Sequence, residues 1–485
     1  MSAKFPSAPL FTGFSAPSRL EGDVFDLEVI QGEVPSDLNG VFYRVQPDPA
    51  WPPKLGRDIP LNGDGMITAF FFERGAVDFK SRYVRTQKFV AERAARRPLF
   101  GAYRNPYTDD PSVRGLSRGT ANTSVLWHGG RLLALKEDSH PVEVDARTLE
   151  TLGDHDFDGA LSSRTFTAHP KKDPVTGELF AYGYAARGEA TLDVALYVVG
   201  ADGRITSEQW ITAPYGCMVH DFGVTREHVL IPITPLCSDL ERLKAGGPHF
   251  AWDGSKESAL GVFPRTAGVA DLKWFTGPTC HSTHTLNAFS EGRKIHYDTP
   301  TGETVVFPFF PSVHGEAWDP ARAAPRLTRW TVDLDDPFAR IRHTPLTPMA
   351  GDFPRIDERF AMTPVGKGWI VGYDEEHADP TARGPASAII SNAIIEHDLR
   401  SGERKVFHVG DAASAQEPQF VPRRPDSAEA DGWLISVVHR MTPMCSDLVI
   451  VDATDICAGP VATLRLPFRL RRGLHGCWVP ADQLP

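Results

Sequence analysis

Four stretches carry the same short grammar: GGRLLALKE (residues 129–137), GELFAYGY (177–184), GKGWIVGY (366–373) and DGWLISVV (431–438). Each has glycine at its first or second position and soon passes into aliphatic and aromatic residues, the composition of a mostly buried strand that begins at a turn. Val41 to Val45 and Val229 to Ile233 are runs of the same kind. Between them lie units such as ALYVVGADGRITSEQWI (195–211) and AIIEHDLRSGERKVFHV (393–409), in which a strand, a polar turn and a second strand follow one another. Such a pattern predicts β-hairpins, with Gly, Asp and Ser supplying the backbone freedom of the turn. The glycine-then-strand unit recurs irregularly along the chain, which suits a sandwich array, a barrel or a propeller with insertions between blades.

Composition agrees. The 485 residues include 42 Gly and 41 Pro, too many for long uninterrupted helices. No low-complexity linker divides the chain, so the expectation is an all-β fold forming one domain over residues 1–485. Residues 89–118, with ERAARR and YRNPYTDDP, break the strand pattern and are expected to form an insertion over one face. A formal charge of −11 disfavours nucleic acid and anionic lipid as partners. The opening MSAKFPSAPLFTGF has no basic segment leading into an apolar core, and no later run approaches the roughly 20 apolar residues of a membrane helix. A cytoplasmic protein is the simplest expectation. The six cysteines form no CxxC pair and are expected to be reduced thiols.

Chemistry concentrates on histidine. Of 17, four stand near predicted strand ends: His169 in FTAHPK, His220 in MVHDFG, His284 in HSTHTLNAF and His475 in GLHGCW. A propeller gathers such ends at its axis. Four neutral imidazoles would leave the full charge on a divalent metal and suit iron, copper, zinc or nickel alike. His281 competes with His284 for the third place. HSTH lacks the glutamate and the spacing of HExxH, which removes the main support for zinc hydrolysis. Imidazole ligands need an acceptor on the second nitrogen, and Glu137 in LALKED, Asp352 in GDFPRID and Glu417 in QEPQFVP are candidates.

These motifs, with LNGVFYRV (38–45), NGDGM (62–66), NTSVLWHGGRLLALKE (122–137), FPRIDERF (353–360) and GLHGCWVP (473–480), resemble in order and nearly end to end the carotenoid cleavage oxygenase superfamily. Within it they are most similar to the bacterial lignostilbene dioxygenases. The resemblance implies a seven-bladed propeller whose active-site face is capped by loop and helical insertions, with one Fe(2+) per chain on His169, His220, His284 and His475. It selects His284 over His281 and implies that Glu137, Asp352 and Glu417 orient three of the imidazoles. Asp352 departs from the glutamate usual there. The resemblance further implies cleavage of a carbon–carbon double bond by O2 into two carbonyl products. Lys136, at the variable position of LALxE, and Tyr103, in the insertion, match the lignostilbene pattern and point to a phenolic stilbene cleaved to two aromatic aldehydes. A lysine there would favour phenolate over phenol at the substrate's 4-hydroxyl. Leu61, just before NGDGM, stands where phenylalanine is expected and would line the substrate. A homodimer is implied by resemblance alone. The rival expectations are an apocarotenoid or isoeugenol-type alkene at the same centre, a propeller hydrolase, and a binding scaffold without metal.

Overall fold

Alternation in the strand Ala76–Tyr83 leaves every second residue buried, whereas Gly40–Pro47 and Leu179–Tyr184 are buried throughout. The first pattern belongs to a strand with one wet face and the second to strands covered on both faces. The computed structural model describes residues 4–377 and 391–485. Its strands pair antiparallel in small sheets, with Ser124–His128, Arg131–Leu135, Val142–Val144 and Thr151–Asp154 forming one complete four-stranded meander. Another meander runs from Lys171–Lys172 through Leu179–Tyr184 and Asp193–Val199 to Ile205–Thr212. The expected hairpins at 195–211 and 393–409 are present, with Leu196 opposite Gln209 and Ile395 opposite Val406.

The 14-residue strand Arg342–Arg355 serves two sheets, pairing with Arg326–Asp333 at its start and with Lys367–Gly372 at its end. Counted this way, the described residues form seven sheets of four or more strands, the blades of a β-propeller. The ring closes twice. Gly476–Pro480 pairs with Gly40–Pro47 in the first blade, and Glu28–Gly32 pairs with Pro460–Arg465 in the last. Gly476 is required here because a Cβ would strike the Tyr43 carbonyl.

Blades are held face to face by apolar clusters. Val41, Tyr43 and Ile67 of the first blade pack on Leu132, Ala134 and Val144 of the second, while Leu230 and Phe275 of the fourth pack on Tyr297 and Trp330 of the fifth. Trp369 stacks on Phe420 between the last two blades at 5.2 Å and 7°. Each such side chain contributes about 1.5–3 kcal/mol by leaving water, which makes these contacts the main source of rigidity around the axis. Tyr43 adds a polar tie, its hydroxyl donating 2.6 Å to the Ala146 carbonyl.

The break in strand pattern near 89–118 opens on the helix Gln87–Ala95, which starts two residues before it and is capped by Thr86, and continues in short turns. One buried ion pair pins the helix: Lys88 Nζ donates 2.7 Å to Asp64 of NGDGM, while its 2.9 Å bond to Glu92 lies within the helix itself. Glu92 in turn accepts the backbone N–H of Leu99 and Phe100. Farther on, Asn105 donates to the carbonyls of Leu243 and Gly247. Among the described residues no helix is long and apolar enough to cross a membrane, and all six cysteines are free.

Candidate metal centre

Each of the four histidines sits beside the innermost strand of a blade: His169 two residues before Lys171–Lys172, His220 three before Gly223–Val224, His284 three before Asn287–Glu291, and His475 directly before Gly476–Pro480. Blade geometry therefore points all four toward the axis. One ring nitrogen from each falls within 4.8 Å of the others. The His220 and His284 Nε2 atoms approach to 3.1 Å, and ring centroids lie 4.5 Å apart for His169–His475 and 4.7 Å apart for His284–His475.

Three rings are turned by carboxylates. His220 Nδ1 contacts Glu137 Oε1, His284 Nδ1 lies 2.7 Å from Asp352 Oδ1, and His475 Nδ1 lies 2.7 Å from Glu417 Oε1. With Nδ1 engaged, Nε2 is the atom left facing inward. His169 has no such acceptor, and its buried Nε2 meets no partner among the described residues. A buried ring nitrogen without a partner is costly, and a metal ion at the centre of the four would satisfy it. The donor set thus fits a divalent transition metal.

Asp352 spans the gap to His284 without an intervening water, despite its shorter side chain. The backbone brings it there: Phe353, the next residue, adopts a left-handed φ of 54°, and Asp352 Oδ1 also accepts the Phe353 N–H at 2.8 Å and the Thr283 hydroxyl at 2.9 Å. Phe353 then stacks on the His284 ring at 5.0 Å.

Burial works to raise the Glu137 carboxyl, but His220, Arg104 and Lys136 outweigh it and hold the group at about 2. Glu417 is held at about 2 in the same way, with Arg355 and His475 opposing burial. Asp352 also lies below its ordinary value, the effect of burial being overcome by His284. Burial and the other three imidazoles push His169 well below the usual histidine range, so it is neutral and ready to ligate.

His281, the rival of His284, lies outside the converging cluster. It is 2% exposed, its ring set edge-on to Trp252 at 6.2 Å and to Phe307 at 5.6 Å.

Lys136 and Tyr103, 33 positions apart, are both buried and meet in the interior. The ammonium lies 5.0 Å from the centre of the Tyr103 ring and donates 3.2 Å to the Leu61 carbonyl. Leu61 thus reaches the lysine through its backbone, while its side chain packs with Tyr103, Phe310 and Phe307 in one apolar cluster. Burial lowers the proton affinity of Lys136, against the raising influence of Asp138 and Glu137. Burial raises that of the Tyr103 hydroxyl, and Glu137 adds to the effect, so the phenol stays neutral.

Three further residues belong to the site. Arg104 follows Tyr103 with a left-handed φ of 51°, contacts the Tyr184 hydroxyl and reaches Glu137 Oε2 at 3.4 Å. Tyr184 itself donates 2.6 Å to Glu137. Arg355 donates 2.8 Å to Glu417 Oε2 and 2.6 Å to the Gly476 carbonyl. All three lay in quoted motifs or beside Tyr103, and the only signal for them was a charged or hydroxyl side chain inside an otherwise apolar strand or turn. A cavity of about 570 Å³ opens beside His169, His284 and His475, bordered by Lys171, Arg355 and Glu417; Lys136 and Tyr103 are not among its walls.

The family described as RPE65, retinal pigment epithelial membrane protein, matches residues 15–480. The chain is 46% identical to lignostilbene-alpha,beta-dioxygenase isozyme III of Sphingomonas paucimobilis, covering all of this chain and 99% of that one. It belongs to the carotenoid cleavage oxygenase family. This oxygenase is also 47% identical to an isoeugenol monooxygenase of Pseudomonas nitroreducens, over 97% of its own length and 98% of the relative's. Its fold superposes on the crystal structure of Pseudomonas brassicacearum lignostilbene dioxygenase with a TM-score of 0.96 at 42% identity, covering 99% of this chain and 100% of that one. Membership removes the hydrolase and scaffold alternatives, since the matched relatives are oxygenases along the whole chain.

Proposed function

We propose that this oxygenase binds one ferrous ion through His169, His220, His284 and His475 and cleaves the central double bond of a 4-hydroxystilbene with O2, giving two aromatic aldehydes. The reaction balances as one alkene and one O2 becoming two carbonyls, with no external reductant. When bound, the iron supplies the position at which O2 is activated. Glu137, Asp352 and Glu417 fix the tautomers of three imidazoles so that Nε2 faces the metal.

The observation that carries the substrate class is the buried ammonium of Lys136 set against the Tyr103 ring, one residue from the carboxylate that turns His220. A substrate phenol placed there meets a cation in a water-poor site. The ammonium donates a hydrogen bond to the 4-oxygen and favours its phenolate over its phenol, the proton leaving to solvent as the substrate enters. Phenolate charge delocalises to the alkene and makes it electron-rich. Tyr103, kept neutral, donates a second hydrogen bond to the same oxygen. Leu61 lines the pocket. The insertion at 89–118 covers the phenol end of a chain acting as one unit.

Near-equal identity to the lignostilbene and isoeugenol enzymes leaves the second half of the substrate to this chain's own pocket. The apolar wall continuing from Tyr103 through Phe310 to Phe307 favours a second ring. The test is turnover of a 4-hydroxystilbene, its 4-methoxy analogue, isoeugenol and an apocarotenoid by iron-loaded protein, with labelled O2. Preference for the hydroxystilbene and label in both aldehydes, after correction for exchange with water, are the expected results. Equal turnover of the methoxy analogue would remove the role given to Lys136.

A further inference from the structure

The aromatic wall that starts at Tyr103 ends on a polar group. Tyr103 lies 6.3 Å from Phe310, Phe310 lies 6.0 Å from Phe307, and Phe307 lies 5.6 Å from His281, centroid to centroid. His281 is almost fully buried, yet neither of its ring nitrogens meets a hydrogen-bond partner among the described residues, and Nδ1 is wholly enclosed. Its flanking groups are apolar ring edges, Trp252 on one side and Phe307 on the other. Burying an imidazole without a partner costs about 1–3 kcal/mol, and structures rarely keep such a group without a use for it. The metal does not supply that use, because His281 stands outside the four-histidine cluster.

We propose that His281 is a specificity residue that hydrogen-bonds an oxygen substituent on the second aromatic ring of the substrate. This rests on the stilbene reading above and deepens it. With the phenol of the first ring at Lys136 and Tyr103, a two-ring substrate extends along the wall past Phe310, bringing its far ring toward Phe307 and His281. A neutral imidazole carries one donor and one acceptor, so it matches a phenolic hydroxyl in either sense. An unsubstituted far ring leaves the imidazole unpaired, and the site then discriminates against it.

Saturated analogues, which lack the alkene and cannot be cleaved, allow binding to be read on metal-free protein. Calorimetric titration with 4-hydroxybibenzyl and with its partner bearing a second hydroxyl on the far ring gives a ratio of affinities. The unaltered protein is expected to favour the dihydroxy compound by about three- to tenfold, the worth of one neutral hydrogen bond. His281→Phe keeps the aromatic volume and is expected to bring that ratio to about one, and His281→Gln to restore part of it. The kcat/KM ratio for the matching stilbenes on iron-loaded protein is expected to move in the same sense. An unchanged ratio in His281→Phe overturns the proposal, as does an equal loss for both compounds, which marks a purely structural role. Absence of turnover on any hydroxystilbene would instead defeat the stilbene reading itself, so the two failures are told apart.

Discussion

Replacing Lys136 with methionine separates what the buried cation does for the fold from what it does for the reaction. Among the described residues the ammonium has one hydrogen bond, to the Leu61 carbonyl, and that carbonyl is independently satisfied by Asn122 Nδ2 at 2.9 Å. Removing Nζ therefore orphans nothing. Burial outweighs Asp138 and Glu137 and lowers the lysine's proton affinity, so the charged form opposes folding. The sign follows from linkage: a lysine whose folded value lies below its unfolded one destabilises at neutral pH, and the penalty disappears as pH rises past the unfolded value of about 10.4. Methionine fills nearly the same volume without charge. Lys136→Met is thus expected to be about 1–2 kcal/mol more stable than the parent at pH 7, with the difference shrinking as pH rises toward the unfolded value of about 10.4 and gone above it. Catalysis moves the other way. A charge-assisted hydrogen bond to a phenolate is worth about 1.5–3 kcal/mol, so kcat/KM on a 4-hydroxystilbene should fall about ten- to hundredfold while iron content is unchanged. Denaturant melts at two pH values, metal analysis and steady-state kinetics read the three quantities. A variant that loses stability and activity together would refute the reasoning, because it would make Lys136 a prop of the fold.

Burial raises the Asp58 carboxyl to about 6, against lowering by Asn62 and Ile59. Its neutral form thus supports the fold at low pH, and stability is lost as pH rises from the unfolded value of about 3.9 through 6; Asp58→Asn should raise Tm at pH 8 and leave it unchanged at pH 4, and an equal rise at both would contradict this. Arg355→Met strips Glu417 of its guanidinium partner and is expected to cost about 3 kcal/mol, most of it recovered when Glu417→Gln is added, as a double-mutant cycle in denaturant can show. Ferrous ion at a hundredfold excess over its Kd should add about 2.7 kcal/mol to the unaltered protein, and markedly less to His169→Ala, with differential scanning calorimetry as the check.

The strand content was legible because period and turn chemistry are local. GELFAYGY and AIIEHDLRSGERKVFHV needed only their own residues to declare a strand and a hairpin, and both pair as such. The convergence of His169, His220, His284 and His475 was not local, since ring closure sets it; only the ordered series of family motifs made it readable. The insertion was placed but not resolved into parts: ERAARR ends a helix whose hold on the protein is the buried Lys88–Asp64 pair, and nothing in the helix's own residues announces that partner. Arg104 and Arg355 escaped notice for the opposite reason. An arginine in a sequence reads as solvated surface, and only the packing around it reveals a buried counter-charge to an acid beside a histidine. The role of Leu61 toward Lys136 was invisible in principle, because a backbone carbonyl carries no side-chain signature.

The strand Gly476–Pro480 ties the first blade shut, and His475 directly precedes it. During synthesis the other three imidazoles emerge long before this one, while the first blade waits with an open edge on Gly40–Pro47. Pairing of this strand, one of the two closures of the ring, and completion of the four-nitrogen cluster are therefore one event in time. A partly unzipped molecule that has lost this strand would also lose His475 from the cluster, leaving three of the four nitrogens proposed for iron. On the proposed iron reading, metal retention would then report on whether this strand is paired.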